Sequence, residues 1–198
     1  MIVIADKKNK DKYFKQYLSL INKKVTNNII DFRDVKIEDL KKYNSILVLE
    51  PMDEDFRELM KWYFSFYPEK DIEGSYTDKL TITAEAIIEV LPENIIGKSI
   101  FIINQSPILG IPLAHELMKR KANVFSINSK YKALETHLND LKPDILITAT
   151  GNNNFKLKSS LTKNINLIVD LSDDCEEKNK ISSVPTIKVL KKRKKSYK

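Results

Sequence analysis

The run Ser99-Ile100-Phe101-Ile102-Ile103-Asn104-Gln105-Ser106-Pro107-Ile108-Leu109-Gly110-Ile111-Pro112-Leu113-Ala114 reads as a buried strand, a polar turn and the start of a helix. The strand is apolar without alternation, which is the pattern of a parallel strand covered on both faces. The chain holds four glycines, Gly74, Gly97, Gly110 and Gly151. Gly110 and Gly151 follow two separate apolar strands. A bare backbone at those points permits positive φ or close approach of a ligand.

The same rhythm extends outward from this run. Asn123 to Ile127, Asp144 to Thr150 and Ile165 to Leu171 read as strands. Pro112 to Lys121, Lys132 to Leu141 and Leu157 to Thr162 carry helical spacing. Toward the N-terminus, Ile2 to Ala5, Asn28 to Phe32 and Ser45 to Leu49 read as strands, and the last stops at Pro51. Lys12 to Lys24, Ile37 to Lys42, Asp53 to Phe66 and Thr81 to Leu91 read as helices. On the helix over 53–66, Trp62 and Phe66 lie beside the stripe of Phe56, Leu59, Met60 and Tyr63, and read as core. Strands alternating with helices give an α/β chain of two α/β domains, the second a Rossmann-like, doubly wound parallel sheet. The expected division is 1–91, 92–187 and a basic tail at 188–198, with Pro92 to Gly97 as the connector.

Composition narrows the class. Hydrophobic residues make up 42% of the 198 residues, enough for a core. Cys175 is the single cysteine, so an intramolecular disulfide and a thiolate metal cluster are excluded, in keeping with a reducing cytosol. His115 and His137 lack partner ligands at useful spacing and read as structural or exposed, so no metal site is expected. No apolar run is long enough to span a bilayer, and Met1 to Asp6 reads as a strand rather than a signal. The net charge is +7, and seven of the basic residues lie at 188–198 with no acid among them. The rest of the chain is therefore neutral, and the tail is expected to be a solvated, frayed terminus. Contact with nucleic acid is expected only through that tail.

In a doubly wound sheet, ligands sit beyond the C-terminal strand ends. After Ile103 come Asn104, Gln105 and Ser106, with Ile108 and Gly110 leading into the helix, a turn able to hold a phosphate. After Ile127 come Asn128 and Ser129, where a ribose could lie, and after Thr150 comes Gly151. The turn departs from the dinucleotide fingerprint, because Asn104 stands at the first glycine and no acid ends the second strand. An ordinary βα turn remains an equal reading of this pattern.

The order of further pieces resembles the methylenetetrahydrofolate dehydrogenase/cyclohydrolase family from about Ile2 to Asp170. Ser106-x-Ile108-Leu109-Gly110-x-Pro112-x-Ala114 looks like the family's Ser-x-Ile-Val-Gly-x-Pro-x-Ala. Pro68-Glu69-Lys70-Asp71-Ile72-Glu73-Gly74 looks like Pro-x-Lys-Asp-Val-Asp-Gly. Ile46-Leu47-Val48-Leu49-Glu50-Pro51, Gly97-Lys98, Pro143 to Gly151 and Ile168-Val169-Asp170 match further family segments. The resemblance implies a first, folate-type catalytic domain and a second domain that binds NAD or NADP. It implies tetrahydrofolate as substrate, hydride transfer from its methylene carbon, hydrolysis of the methenyl product, a homodimer and a cytoplasmic location. Carried over residue by residue, it places Tyr13 and Tyr17 in the catalytic helix, and Leu49, Pro51 and Glu73 on the folate. Asn104, Gln105, Ser106, Ile108, Gly110, Asn128, Ser129 and Gly151 fall on the cofactor.

The departures are specific. Tyr17 occupies the position of the family lysine, the main acid–base group of hydrolysis, and a phenol of reference pKa about 10 is a poor substitute near neutrality. Leu49 stands for the family glutamine, Glu73 for the second aspartate, Gln105 for an arginine that some members use on NADP, and Asn128 for a histidine. The family's N-terminal helix does not precede Ile2, and Val184-Pro185-Thr186 is similar to a shortened remnant of a glycine-rich segment. Two readings follow. One is a dehydrogenase with the cyclohydrolase step weak or absent. The other is a catalytically degenerate member that binds a folate, a nucleotide or a protein. A third, nucleic-acid binding, rests on the tail alone.

Overall fold

The computed structural model describes residues 1–196. It divides into two compact units, 1–82 with 186–196 and 83–185. The first unit opens with β1 (Ile2–Ala5), α1 (Lys12–Lys24), β2 (Ile29–Asp31), α2 (Ile37–Leu40), β3 (Ile46–Leu49) and α3 (Glu54–Phe66). Its three strands are parallel in the order β2-β1-β3. All four residues of β1 are buried, as are all four of β3, which is why both read as unbroken apolar runs. Asp11 caps α1 by accepting from Phe14 N–H at 2.7 Å. Asp53 caps α3 by accepting from Phe56 N–H at 2.8 Å.

The core of this unit joins Ile2, Ile4, Ile46 and Val48 to Phe56, Met60, Tyr63 and Phe64 of α3. Full burial of side chains of this size contributes about 2 kcal/mol each. Trp62 and Phe66 are not part of it. They are 56% and 62% exposed and meet edge-on at 5.2 Å, because the stripe that faces the sheet runs through 56, 60, 63 and 64.

The second unit takes in most of α4 (Ile82–Ile88), then β4 (Ser99–Ile103), α5 (Gly110–Lys119), β5 (Asn123–Ile127), α6 (Leu134–Leu141), β6 (Ile145–Thr148), α7 (Ser159–Thr162) and β7 (Leu167–Asp170). The sheet is parallel in the order β5-β4-β6-β7, with Ile103 beside both Ile127 and Thr148. The chain winds one way from β4 to β5 and the other way to β6, so the reversal lies between β4 and β6. The doubly wound α/β class expected from the sequence is the one observed.

The basic terminus differs from the frayed tail expected for it. Thr186–Ser196 forms α8, assigned to the first unit, with Val189 and Leu190 fully buried. Arg193 fixes it by donating to the carbonyls of Ile72 and Glu73 at 2.9 Å and of Leu80 at 2.5 Å. Lys194 donates to Val25 O at 2.6 Å. Two apolar residues and one guanidinium thus order a segment whose charge alone suggests solvation. Lys198 of that expected tail lies outside the described residues. Among the described residues, no helix is long and apolar enough to cross a membrane.

Candidate functional site

In the second unit the reversal of strand order puts the turn after β4 beside the end of β6. Asn104 spans the two. Its Nδ2 donates to Ala149 O at 2.6 Å. Its Oδ1 accepts from Ser106 N–H at 2.9 Å, Ser106 Oγ at 2.8 Å and Gly110 N–H at 3.0 Å. Ser106 Oγ accepts in turn from Leu109 N–H at 3.1 Å. The first donors of α5 are therefore satisfied from within the turn. Gly110 is required by contact rather than by φ, since a Cβ there would stand 1.7 Å from Asn104 O.

Gln105 lies at the lip of a groove formed with Ser126, Asn128, Lys130, Tyr131 and Lys132. Its Nε2 donates to Ser126 O at 2.9 Å, and Asn128 Nδ2 donates to its Oε1 at 3.1 Å. Ser129 follows in the same turn, and Ile108 is half-buried beside Leu109. Gly151 has φ of +63° with open space where a Cβ would point, so its backbone conformation demands glycine there. Gln105, Asn128 and the groove suit the adenosine end of a nicotinamide dinucleotide. At the pyrophosphate end the fit is poorer, because Asn104 Oδ1 already takes the N–H groups of Ser106 and Gly110.

Under this edge the sequence reading missed Asp174 and named Asp170 only within a matched segment. Asp174 is fully buried and accepts from Thr148 Oγ1 at 2.5 Å, Thr150 Oγ1 at 2.6 Å and Thr150 N–H at 3.0 Å. Asp170 accepts from the N–H groups of Ser172, Asp174 and Cys175 and from Lys180 Nζ at 2.8 Å. Burial opposes the charge of Asp170, but these donors hold its carboxyl below the usual range. Burial pushes the Cys175 thiol up to about 12, helped by Asp170, so it is not a thiolate nucleophile near neutrality. The available signal was the pair Asp173-Asp174 just after an apolar strand.

In the first unit, the residues singled out from the sequence separate into two sets. Tyr13 is 73% exposed at the start of α1. Tyr17, one turn on, is half-buried. Its phenol is raised above the ordinary range by burial first and by the Glu73 carboxyl second, against a hydrogen bond with the Thr186 side chain. Glu73 is buried and accepts from Ile82 N–H at 3.3 Å. Burial pushes its carboxyl up to about 8, Asp71 adds to the rise, and Arg193 opposes it. Near neutral pH this cluster is a phenol and a protonated carboxyl. The Glu73 carboxyl lies near enough to neutrality to exchange its proton, whereas the Tyr17 phenol does not.

The loop carrying Glu73 is shaped by Asp71, which accepts from Gly74 N–H at 2.8 Å, Tyr76 N–H at 3.0 Å and Thr77 Oγ1 at 3.0 Å. Leu49 is buried at the end of β3, and Pro51 is exposed just after it. Between them stands Glu50, which the sequence reading passed over. It accepts from Arg57 Nη2 at 3.0 Å, Tyr76 Oη at 3.0 Å and Met52 N–H at 2.8 Å. Among the described residues there is no cluster of histidine, cysteine and carboxylate side chains able to hold a metal ion.

The family model for the tetrahydrofolate dehydrogenase/cyclohydrolase NAD(P)-binding domain matches residues 81–192. The bifunctional protein FolD of Dictyoglomus thermophilum is 26% identical over 163 residues, covering 75% of this chain and 56% of that protein. FolD of Petrotoga mobilis is 30% identical over 165 residues, covering 72% and 58%. The chain thus spans a little over half the length of these curated relatives. The fold is shared with the Trypanosoma brucei methylenetetrahydrofolate dehydrogenase-cyclohydrolase complexed with NADP and inhibitor, at TM-score 0.70 and 19% identity over 99% of this chain and 84% of that one. It is shared too with the NAD-dependent methylenetetrahydrofolate dehydrogenase of Saccharomyces cerevisiae, at TM-score 0.69 and 19% identity over 97% and 85%.

Proposed function

The chain belongs to the tetrahydrofolate dehydrogenase/cyclohydrolase family, and from that premise we propose that it is an NAD(P)-dependent methylenetetrahydrofolate dehydrogenase with little or no cyclohydrolase activity. The observation that carries this is the Asn104–Gly110 turn, at the reversal of a four-stranded parallel sheet and inside the matched cofactor domain. A bound nicotinamide supplies the hydride acceptor, so the protein's task in this step is positioning. We assign Gln105, Asn128 and Ser129 to the adenosine end, Ser106, Ile108 and Gly110 to the phosphate turn, and Gly151 to the far strand end. Tyr13 and Tyr17 are assigned to the catalytic helix, and Leu49, Pro51 and Glu73 to the folate. A cytoplasmic homodimer is proposed on family resemblance alone.

Hydrolysis asks for more than positioning, because a group must give and take a proton near neutral pH. Tyr17 stands where the family has lysine, and burial drives its ionisation further from neutrality, so proton transfer would fall to the neighbouring Glu73 rather than to the family's position. A second reading, a member that keeps the fold without turnover, is favoured by Asn104, which holds two of the donors a pyrophosphate would use. The test is to follow NAD or NADP reduction with methylenetetrahydrofolate, and separately the hydrolysis of methenyltetrahydrofolate. The proposal expects reduction with one of the two cofactors and hydrolysis slower by about a hundredfold or more. Rapid hydrolysis by the unaltered protein refutes the assignment of Tyr17. Absence of reduction with both cofactors moves the conclusion to the second reading.

A further inference from the structure

The loop 72–80 of the first unit is already shaped from within. Asp71 accepts from Gly74, Tyr76 and Thr77, and Gly74 O accepts from Lys79 N–H at 3.1 Å. Arg193 of α8 brings three further donors to it. Nη1 donates to Ile72 O and Glu73 O, both at 2.9 Å, and Nη2 to Leu80 O at 2.5 Å. One planar guanidinium thus ties the two ends of the loop together. Burial of Val189 and Leu190 already seats α8, so packing alone does not call for a cation at this point.

Beside that cation stands a carboxyl. Glu73 is 8% exposed and accepts from Ile82 N–H at 3.3 Å. Among the described residues, the titratable and charged groups that face it are the Tyr17 phenol on α1, the Asp71 carboxyl on its own loop and the Arg193 guanidinium on α8. The phenol is neutral near neutral pH and Asp71 opposes a second negative charge, whereas Arg193 and the Ile82 N–H favour one. We propose that Arg193 is a positioning residue for the folate: it holds the Glu73 loop and supplies the fixed positive charge that lets the buried carboxylate form and accept the ligand's N–H donors. This rests on the assignment of Glu73 to the folate. A guanidinium keeps its proton throughout the range in which a carboxyl titrates. An ionised acceptor holds N–H donors about twice as strongly as a neutral one, so affinity follows the charge on Glu73.

The test is calorimetric titration of the full chain with tetrahydrofolate from about pH 6 to about pH 9, where titration of the ligand itself is common to all variants and cancels. Affinity of the parent should rise with pH as Glu73 ionises. Arg193→Gln removes the charge, and should move the midpoint of that rise up by about one unit or more and lower affinity at least about fivefold near pH 8. Arg193→Lys keeps a charge and loses the fork, and should hold the midpoint within about half a unit while weakening affinity at every pH. Glu73→Gln should abolish the rise. A clamp with no electrostatic role would weaken the two Arg193 variants alike and leave the midpoint unmoved, which overturns the inference. If Arg193→Gln lacks the circular dichroism of the parent, Glu73→Gln decides, since a rise that survives it also overturns the inference. Folate binding by the parent without a rise overturns the inference and leaves the folate assignment standing. No binding at any pH removes both.

Discussion

Asp71 in the first unit and Asn104 in the second do similar work and reach different ends. Each accepts several hydrogen bonds from its own turn and fixes it next to a glycine. Asp71 organises the loop that carries the buried Glu73, beside a half-buried Tyr17. Asn104 organises a loop whose framework is kept, with Ser106, Gly110 and the strand reversal in place. The carboxamide also has a donor, which ties the turn to Ala149 on the next strand. The difference teaches that a turn's shape rests on one acceptor at the right place to satisfy the backbone, whatever the side chains beside it carry.

The strongest challenge to this picture is Gly110→Ala. A Cβ placed 1.7 Å from a backbone oxygen cannot be absorbed by a side-chain movement. We expect a loss of more than about 3 kcal/mol, read by urea denaturation, together with loss of any NAD(P) binding. A change below about 1 kcal/mol would mean that the turn does not hold the second unit together as described.

Next comes the pH dependence of the first unit. Glu73 has its folded value raised to about 8 from 4.5. The folded chain therefore holds a proton that the unfolded chain has released between those values. The stabilisation is complete below about 4.5 and is lost as pH rises toward 8. Thermal midpoints should fall over that window, and Glu73→Gln should remove much of the fall while leaving the second unit's contribution in place. Midpoints that rise over the window, or a slope untouched by the substitution, would place the carboxyl in a wetter setting.

Asn104→Gly should release the N–H groups of Ser106 and Gly110 for an anion. We expect NAD(P) affinity to rise about tenfold by calorimetry, against a stability loss of about 1 kcal/mol from the lost hydrogen bonds. Unchanged affinity would mean that the cofactor does not use those donors. The smallest effect should come from Trp62→Ala. A side chain 56% exposed outside the core should cost under about 1 kcal/mol in the melting curve. A larger loss would return it to the core that its sequence spacing suggested.

Much of this was legible in the chain itself. The strand Ser99–Ile103 and helix Lys12–Lys24 fall at the bounds that periodicity predicts. Buried parallel strands must be apolar throughout, and an amphipathic helix must repeat near 3.6 residues. The turn at Asn104–Gly110 was also visible, as were the replacements at Tyr17 and Glu73. The role of Asn104 was not, because a fingerprint records a missing glycine and says nothing of what the new side chain will bond. Glu50 and Asp174 escaped notice for the same reason, since their partners Tyr76, Thr148 and Thr150 lie 24 to 26 residues away.

The sequence by itself determined the parallel α/β order, the place of the turn between β4 and α5 and the family, since these rest on local periodicity and contiguous motifs. Only the tertiary structure decided that a lysine-rich terminus would be a packed helix. Its anchor is Arg193, reaching a carbonyl 121 residues away at Ile72. Tertiary packing likewise put Glu73 near the Arg193 guanidinium and Tyr17 near Thr186. Charge pattern reports what a segment would do alone in water. Burial of Val189 and Leu190 against the first unit is a long-range gain that no local window of sequence contains.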